Sequence, residues 1–126
     1  MSSLLLDTDI LINLLRGNVA ARDFIANNLD DDEVLCSVIS VAEIWAGMLS
    51  HEELATRRLL ESLRIVDVTF DIAIKSGSFK ATTKSHSLEL DDCLIAATAF
   101  CTGATLATGN GKHYPMKDIP KVIVKM

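Results

Sequence analysis

Five short apolar segments alternate with stretches of helical spacing, and this alternation constrains the fold more than any other feature. The apolar segments lie at 3–7, 34–37, 64–68, 104–108 and 121–126. The helical stretches lie at 10–17, 19–29, 40–48, 51–63, 71–85 and 91–103. Strands that alternate with amphipathic helices predict a parallel sheet with helices on both faces. We therefore expect an α/β fold with three layers, α/β/α, around a central, mainly parallel five-stranded sheet.

Length and composition predict a single domain over residues 1–126. Apolar residues make up 49% of the chain, and no repeat, linker or low-complexity segment interrupts it. Three cysteines without CxxC spacing suit a reducing compartment. The start lacks the basic residues of an export signal, and the longest apolar run is too short to span a bilayer. We expect a cytoplasmic protein without a membrane anchor.

Polar residues follow the predicted strands at their carboxyl ends. Asp7 ends the first strand, Glu43 lies beyond the second, and residues 108–110 follow the fourth. Asp91 and Asp92 open the helix that leads into the fourth strand. Ligands of parallel α/β sheets bind outside the carboxyl ends of the strands. The sequence therefore predicts a site along this edge of the sheet.

Each of the earlier acids also has a structural interpretation. Asp7 and Asp9 precede a helix, where aspartates cap free amides and complement the helix dipole. Asp7 ends a strand and is the better site candidate, whereas Asp9 lies in the helical turn and suits a capping or supporting role. Glu43 stands three residues after Ser40, so it either completes a capping box or faces the cleft. The local sequence leaves both alternatives open.

The two adjacent aspartates are separated by helix geometry. They lie about 100° apart around a helix, so they do not face the same way. Asp92 shares its face with Ala96, Ala99 and Gly103, small residues that let a helix approach the sheet closely. This favours Asp92 for the site and leaves Asp91 to cap the helix.

Several carboxylates at one sheet edge, with no lysine or arginine nearby in the sequence, destabilise one another unless a cation lies among them. Oxygen ligands favour a hard cation such as Mg²⁺ or Mn²⁺, which points to phosphate-ester chemistry. His51, His86 and His113 are far apart and match no zinc spacing. Asn110, in a turn-like Asn-Gly pair, either holds a water or simply makes the turn.

The second half of the chain is basic. Residues 72–126 contain seven lysines and four acids, and no acid occurs from 72 to 88. Lys75, Lys80 and Lys84 fall in this acid-free stretch. They form either a nucleic-acid face or an ordinary solvated helix face.

Three motifs in order, LLLDTDILI, SVISVAEIWAGM and LELDDCLIAATAFCTGATLATGN, precede a lysine–aromatic pair and a closing strand. Together they resemble the PIN-domain family, and within it the VapC-type toxins of toxin–antitoxin modules. The resemblance covers nearly the whole chain. It places the acids of the family on Asp7, Glu43 and Asp92, and Asp91 on a variable position. The fourth position, often acidic in the family, falls on Asn110, and this departure weakens any second metal site.

The resemblance implies a ribonuclease that uses Mg²⁺ or Mn²⁺ held by Asp7 and Asp92, with Glu43 completing the shell or orienting water. It implies cleavage of RNA that leaves a 5′-phosphate and a 3′-hydroxyl. The partners it implies are an RNA substrate, a cognate antitoxin protein and a second copy in a homodimer. Thr8, Asp9 and Thr108 are expected to support the site, and Lys75, Lys80, Lys84 and Lys112 to contact the RNA.

The sequence is also compatible with two other functions. A catalytically weak PIN-like module would bind RNA or a partner without cutting, and Asn110 is the feature that favours it. An aspartate-based phosphotransfer domain, similar to haloacid-dehalogenase-like phosphatases, would use Asp7 as a covalent nucleophile. The motif DTDIL has the D-x-D of that group but lacks the small glycine and the threonine or valine that follow it.

Overall fold

The predicted strands and helices all form. The structure, a computed structural model, describes residues 2–29, 32–84 and 88–126. The strands are β1 (Ser2–Leu6), β2 (Asp32–Ser37), β3 (Arg64–Val66), β4 (Thr105–Thr108) and β5 (Lys121–Ile123). The helices are α1 (Thr8–Leu15), α2 (Val19–Asn28), α3 (Val38–Gly47), α4 (Glu53–Glu61), α5 (Phe70–Thr82) and α6 (Leu90–Thr102). No helix within the described ranges combines the length and hydropathy needed to cross a bilayer.

The five strands form one sheet in the order β3-β2-β1-β4-β5, and every neighbouring pair is parallel. The predicted parallel five-stranded α/β sheet is thus confirmed. β1 is the central strand, since Leu5 pairs with Leu35 of β2 on one side and with Leu106 of β4 on the other. The residue that follows β1 therefore lies at the middle of the carboxyl edge.

Side chains of β1 alternate between two cores, one on each face of the sheet. Leu5 packs with Phe79 of α5 and Ala96 of α6, whereas Leu4 and Leu6 pack with residues of α1 to α4. Consecutive strand residues point to opposite faces, which explains this division. Each buried leucine contributes about 1.5–3 kcal/mol relative to exposure. Helices cover both faces, so the three predicted layers are confirmed.

Helix α3 begins two residues before the predicted start. The Ser37 hydroxyl caps it by accepting a hydrogen bond from the Ile39 amide at 3.1 Å. Ser40 is thus inside the helix and fully buried. The capping-box interpretation of Ser40 and Glu43 is therefore wrong, because the cap lies upstream of both.

Two other helix ends also differ from prediction. A 3-10 turn (Ser50–Glu52) precedes α4, so that helix begins at Glu53. Helix α5 ends at Thr82, whereas the predicted end at Ser85, together with His86, lies outside the described residues. Gly103 ends α6 in the left-handed region (φ 71°), where glycine avoids the steric cost of a side chain.

Candidate active site

Asp7 lies at the centre of the carboxyl edge, because it follows β1 directly and caps α1. Its side chain is 6% exposed. Oδ1 accepts hydrogen bonds from the Thr8 amide and from the Tyr114 hydroxyl, both at 2.8 Å. Oδ2 accepts one from the Thr108 hydroxyl at 2.8 Å. Capping and site placement are therefore not alternatives for Asp7, since one carboxylate does both.

Tyr114 was not singled out by the sequence. It is the only tyrosine of the chain, is 1% exposed and lies after the 3-10 turn (Gly111–His113) that follows β4. The one sequence feature that could have drawn attention to Tyr114 is its position, as an aromatic residue soon after a strand that ends at the predicted site. An aromatic residue at such a position is normally assigned to the hydrophobic core, so only the fold reveals that its hydroxyl contacts Asp7.

Glu43 reaches the same region from α3. Its Oε1 accepts a hydrogen bond from the Thr8 hydroxyl at 2.7 Å, and that hydroxyl lies 2.8 Å from the hydroxyl of Ser40. Ser40 and Glu43 are three residues apart and share one face of the helix. Thr8 thus links the first turn of α1 to the acid of α3.

Both aspartates of α6 are half-buried in its first turn. The N-cap is Glu89, without a side-chain capping bond, so the prediction that Asp91 caps this helix is wrong. Asp91 instead lies close enough to Glu43 to raise the pKa of that acid. Asp92 faces the charges of Asp7 and His113. The first turn of α6 therefore delivers two carboxylates to the cleft.

Asp9 holds the turn that follows β4. Its Oδ2 accepts a hydrogen bond from the Gly109 amide at 3.0 Å, while Oδ1 is buried without a partner among the described residues. The backbone amide of Asn110 donates a hydrogen bond to the Thr108 hydroxyl at 3.0 Å. The side-chain nitrogen of Asn110 lies 3.1 Å from His113 Nε2. Asn110 thus makes the turn and also faces the cleft.

Burial and mutual repulsion raise the pKa values of three of these acids. Burial, and then the charge of Asp7, raise the pKa of Asp9 to about 6. Burial raises the pKa of Glu43, as do the charges of Asp91 and Asp7, against the Thr8 hydrogen bond. Burial also raises the pKa of Asp92, which His113 partly offsets. A nearby cation would relieve this repulsion.

These side chains line one open cleft of about 390 Å³. The lining residues are Asp7, Thr8, Asp9, Ile12, Glu43, Glu89, Asp91, Asp92, Asn110 and His113. Lysine and arginine do not occur among them. His113 is exposed and is the one side chain in this lining that can carry positive charge. Its position in the sequence did not predict that it would lie at the site.

The donors in this cleft suit a hard cation. They are carboxylate and amide oxygens, the groups that bind Mg²⁺ and Mn²⁺. Within the described ranges, no three acid, histidine or cysteine side chains are grouped so that together they could hold a metal ion. Mg²⁺ is ordinarily held by one or two carboxylates and completed by waters and phosphate, so it does not require three protein ligands. The residues present therefore fit one hydrated divalent ion.

The predicted RNA-binding lysines lie outside this lining. Lys75 Nζ is 4.1 Å from the ring centre of Phe100, and Lys80 Nζ donates to the carbonyl of Leu88. Lys84 lines a second cleft. Lys112 is exposed in the 3-10 turn between Asn110 and His113, so it is the one of the four that is next in sequence to a residue lining the cleft.

The chain is similar to known sequences of one family. The family model described as the PIN domain matches residues 4–119. Ribonuclease VapC10 of Mycobacterium tuberculosis is 42% identical over 115 residues, which cover 90% of this chain and 86% of that protein. Ribonuclease VapC19 of the same species is 34% identical over 115 residues, covering 89% and 92%.

Solved structures share the fold. A toxin–antitoxin complex from Klebsiella pneumoniae contains a chain with a TM-score of 0.80 at 29% identity, covering 93% of this chain and 95% of that one. VapBC2 from Rickettsia felis, bound to a DNA fragment from its promoter, gives a TM-score of 0.82 at 18% identity, with 97% and 98% covered. At 18% identity, the second likeness concerns the fold alone.

Proposed function

The chain belongs to the PIN-domain family, and from this premise we propose that it is an endoribonuclease that depends on Mg²⁺ or Mn²⁺. We further propose that it is the toxin of a toxin–antitoxin pair. The observation that carries the proposal is the meeting of Asp7, Glu43 and Asp92 in one cleft whose lining contains no lysine or arginine. The 42% identity to a ribonuclease supports the same assignment.

In this proposal, Asp7 and Asp92 hold the cation and Glu43 completes its shell or orients a water. The cation supplies the positive charge that polarises a phosphodiester and makes water more acidic. Thr108 and Tyr114 orient the Asp7 carboxylate through their hydrogen bonds.

The remaining side chains position groups around the acids. Thr8 orients Glu43, Asp9 holds the turn after β4, and Asn110 offers its amide to a water or a phosphate oxygen. In-line attack by water then leaves a 5′-phosphate and a 3′-hydroxyl. Lys112, and with it Lys75, Lys80 and Lys84, are proposed to contact the RNA backbone.

The partners follow from the same assignment. We propose a cognate antitoxin protein, a homodimer and a cytoplasmic setting. The toxin–antitoxin complex from Klebsiella pneumoniae, which contains a chain 29% identical to this one, supports an antitoxin as partner.

One alternative has an observation in its favour. Asn110 stands at the position where a fourth acid is often found in the family, and its side chain lies within hydrogen-bonding distance of His113. A PIN-like module with a weakened site would bind RNA without cutting it.

Cleavage of RNA by the purified chain tests these functions. We expect cleavage with Mn²⁺ or Mg²⁺, none with a chelator, and none from Asp7→Asn or Asp92→Asn. RNA binding without cleavage by the native chain would establish the binding module instead. A phosphorylated Asp7, found by mass spectrometry after incubation with a phosphate donor, would establish the phosphotransfer alternative.

A further inference from the structure

A second cleft, of about 500 Å³, lies beside helix α5 and carries positive charge. Its charged lining residues are Lys75, Lys84 and Lys117, against the single carboxylate of Asp118. Neither ion pair found in the described parts of the chain, Arg22–Asp23 or Arg64–Glu33, involves these lysines. We refer to it as the lysine cleft.

One face of α5 builds the wall of this cleft. Lys75, Ser78, Phe79 and Thr82 are spaced three and four residues apart, so they lie along a single helix face. Thr83 and Lys84 continue the wall beyond the helix end. The C-terminal end of a helix carries about half a negative charge, and Asp118 adds one more. Three lysines outweigh both, and the cleft remains positive.

The segment that forms the opposite wall also borders the cleft lined by Asp7, Glu43 and Asp92, which we call the carboxylate cleft. His113 lines the carboxylate cleft and Pro115 lines the lysine cleft. Two residues of extended chain span at most about 7 Å, so the two clefts are neighbours. Tyr114 stands between them, and its hydrogen bond to Asp7 anchors this dividing wall.

We propose that the lysine cleft binds the phosphodiester backbone of single-stranded RNA next to the bond that is cut. This inference rests on the proposed function. The carboxylates of the neighbouring cleft repel a polyanion, so an RNA strand needs positive charge on the protein close to that site. Lys84 and Lys117 are exposed and supply this charge. The hydroxyl groups of Ser78 and Thr83 line the same cleft and can donate hydrogen bonds to phosphate oxygens.

Lys75 has a different part in the cleft. Its ammonium lies 4.8 Å from the ring centre of Phe79 and 4.1 Å from that of Phe100. Cation–π contact keeps the charge while restricting the side chain. We therefore leave Lys75 in place and test the two exposed lysines.

The test compares two double variants that each remove two positive charges. Lys84→Gln/Lys117→Gln changes the lysine cleft, whereas Arg58→Gln/Lys125→Gln changes exposed residues that line neither cleft. Binding of fluorescent single-stranded RNA is measured by anisotropy from low to high salt. For this measurement all chains also carry Asp92→Asn, so that the RNA is not cut. Steady-state cleavage is measured in the same variants without Asp92→Asn.

Each phosphate contact to a single strand contributes about 0.7 to the slope of log Kd against log salt. We expect the slope to fall by about 1.4 in Lys84→Gln/Lys117→Gln, with KM raised, kcat unchanged and the control like the native chain. If the slope is unchanged, or if it falls equally in the control, the lysine cleft does not bind the RNA backbone and this proposal is overturned.

Failure of the proposed function gives a different result. In one such result, the native chain cuts no RNA while Lys84→Gln/Lys117→Gln still shows a smaller salt slope than the native chain. That result would overturn the ribonuclease and support this inference. Cleavage with identical slopes would overturn this inference alone.

Discussion

The hydroxyl of Tyr114 donates a 2.8 Å hydrogen bond to Asp7 Oδ1, joining two buried residues that are 107 positions apart in the chain. Burial, with the nearby charge of Asp7, raises the pKa of Tyr114 far above its ordinary value. The phenol therefore stays protonated and always acts as the donor. This bond ties the segment between the two clefts to the central strand.

Replacing Tyr114 with phenylalanine should lower the free energy of unfolding by about 1.5–3 kcal/mol. The ring packing remains, but a hydrogen bond to a buried charged group is lost. Urea unfolding of the native chain, Tyr114→Phe, Asp7→Asn and the double variant measures the coupling between the two residues. A coupling energy near zero would contradict the bond as a stabilising link.

Asp92 and Asp91 provide a matched pair, because each substitution to asparagine removes one charge from the same helical turn. We expect Asp92→Asn to lower the cleavage rate by about 100-fold or more, since even residues that only orient metal ligands cost about 10- to 100-fold. Asp91→Asn should cost about 10-fold or less, because Asp91 acts on the charge of Glu43 and is not assigned to the cation. Equal losses in the two variants would show that Asp91 is part of the metal site.

The stability of the metal-free chain should fall as the pH rises from about 4 to about 6. The pKa of Asp9 is about 6 in the folded chain and 3.8 for the free side chain. Between these values the folded state holds more protons than the unfolded state, so raising the pH favours unfolding. Glu43 and Asp92 act in the same direction, since their pKa values are raised too.

Thermal unfolding in chelator between pH 4 and pH 7 measures this effect, with Asp9→Asn as the control. The variant should gain stability relative to the native chain as the pH rises. A constant difference across this range would mean that Asp9 has an ordinary pKa.

Adding Mg²⁺ should raise the Tm more at pH 7 than at pH 4.5. Carboxylates bind the cation only when deprotonated, and a ligand that binds the folded state stabilises it. NaCl at matched ionic strength controls for general screening. If NaCl and Mg²⁺ raise the Tm equally, the cleft has no specific cation site.

Gly109→Ala should destabilise the chain by about 1–3 kcal/mol and impair cleavage. A Cβ at this position would lie 2.8 Å from Asp9 Oδ2 and would also press on Met126. The turn that carries Thr108 and Asn110 would then shift. Gly77→Ala is the control, because its Cβ meets nothing within 4 Å in the middle of α5. That change should stabilise the helix by about 0.5–1 kcal/mol, and circular dichroism on heating compares the two.

Local sequence was enough to predict the order of strands and helices, because hydrophobic spacing directly reflects which face of each element is buried. It placed Asp7 at a strand end and Asp92 on a small-residue face, and both lie in the cleft. Helix starts were less accurate. The Ser37 cap moved the start of α3 upstream, since a serine at a strand end and one inside a helix look alike in sequence.

Hydrophobic spacing and the positions of the acids were sufficient to predict the α/β fold, the parallel sheet and the edge at which the acids gather. Which side chains meet at that edge depends on how the elements pack against one another. Tyr114, His113 and Asp91 join the site through contacts between residues distant in the chain, and such contacts leave no local periodicity. Tertiary packing alone also separated the carboxylate cleft from the lysine cleft, because both clefts form between elements that only folding brings together.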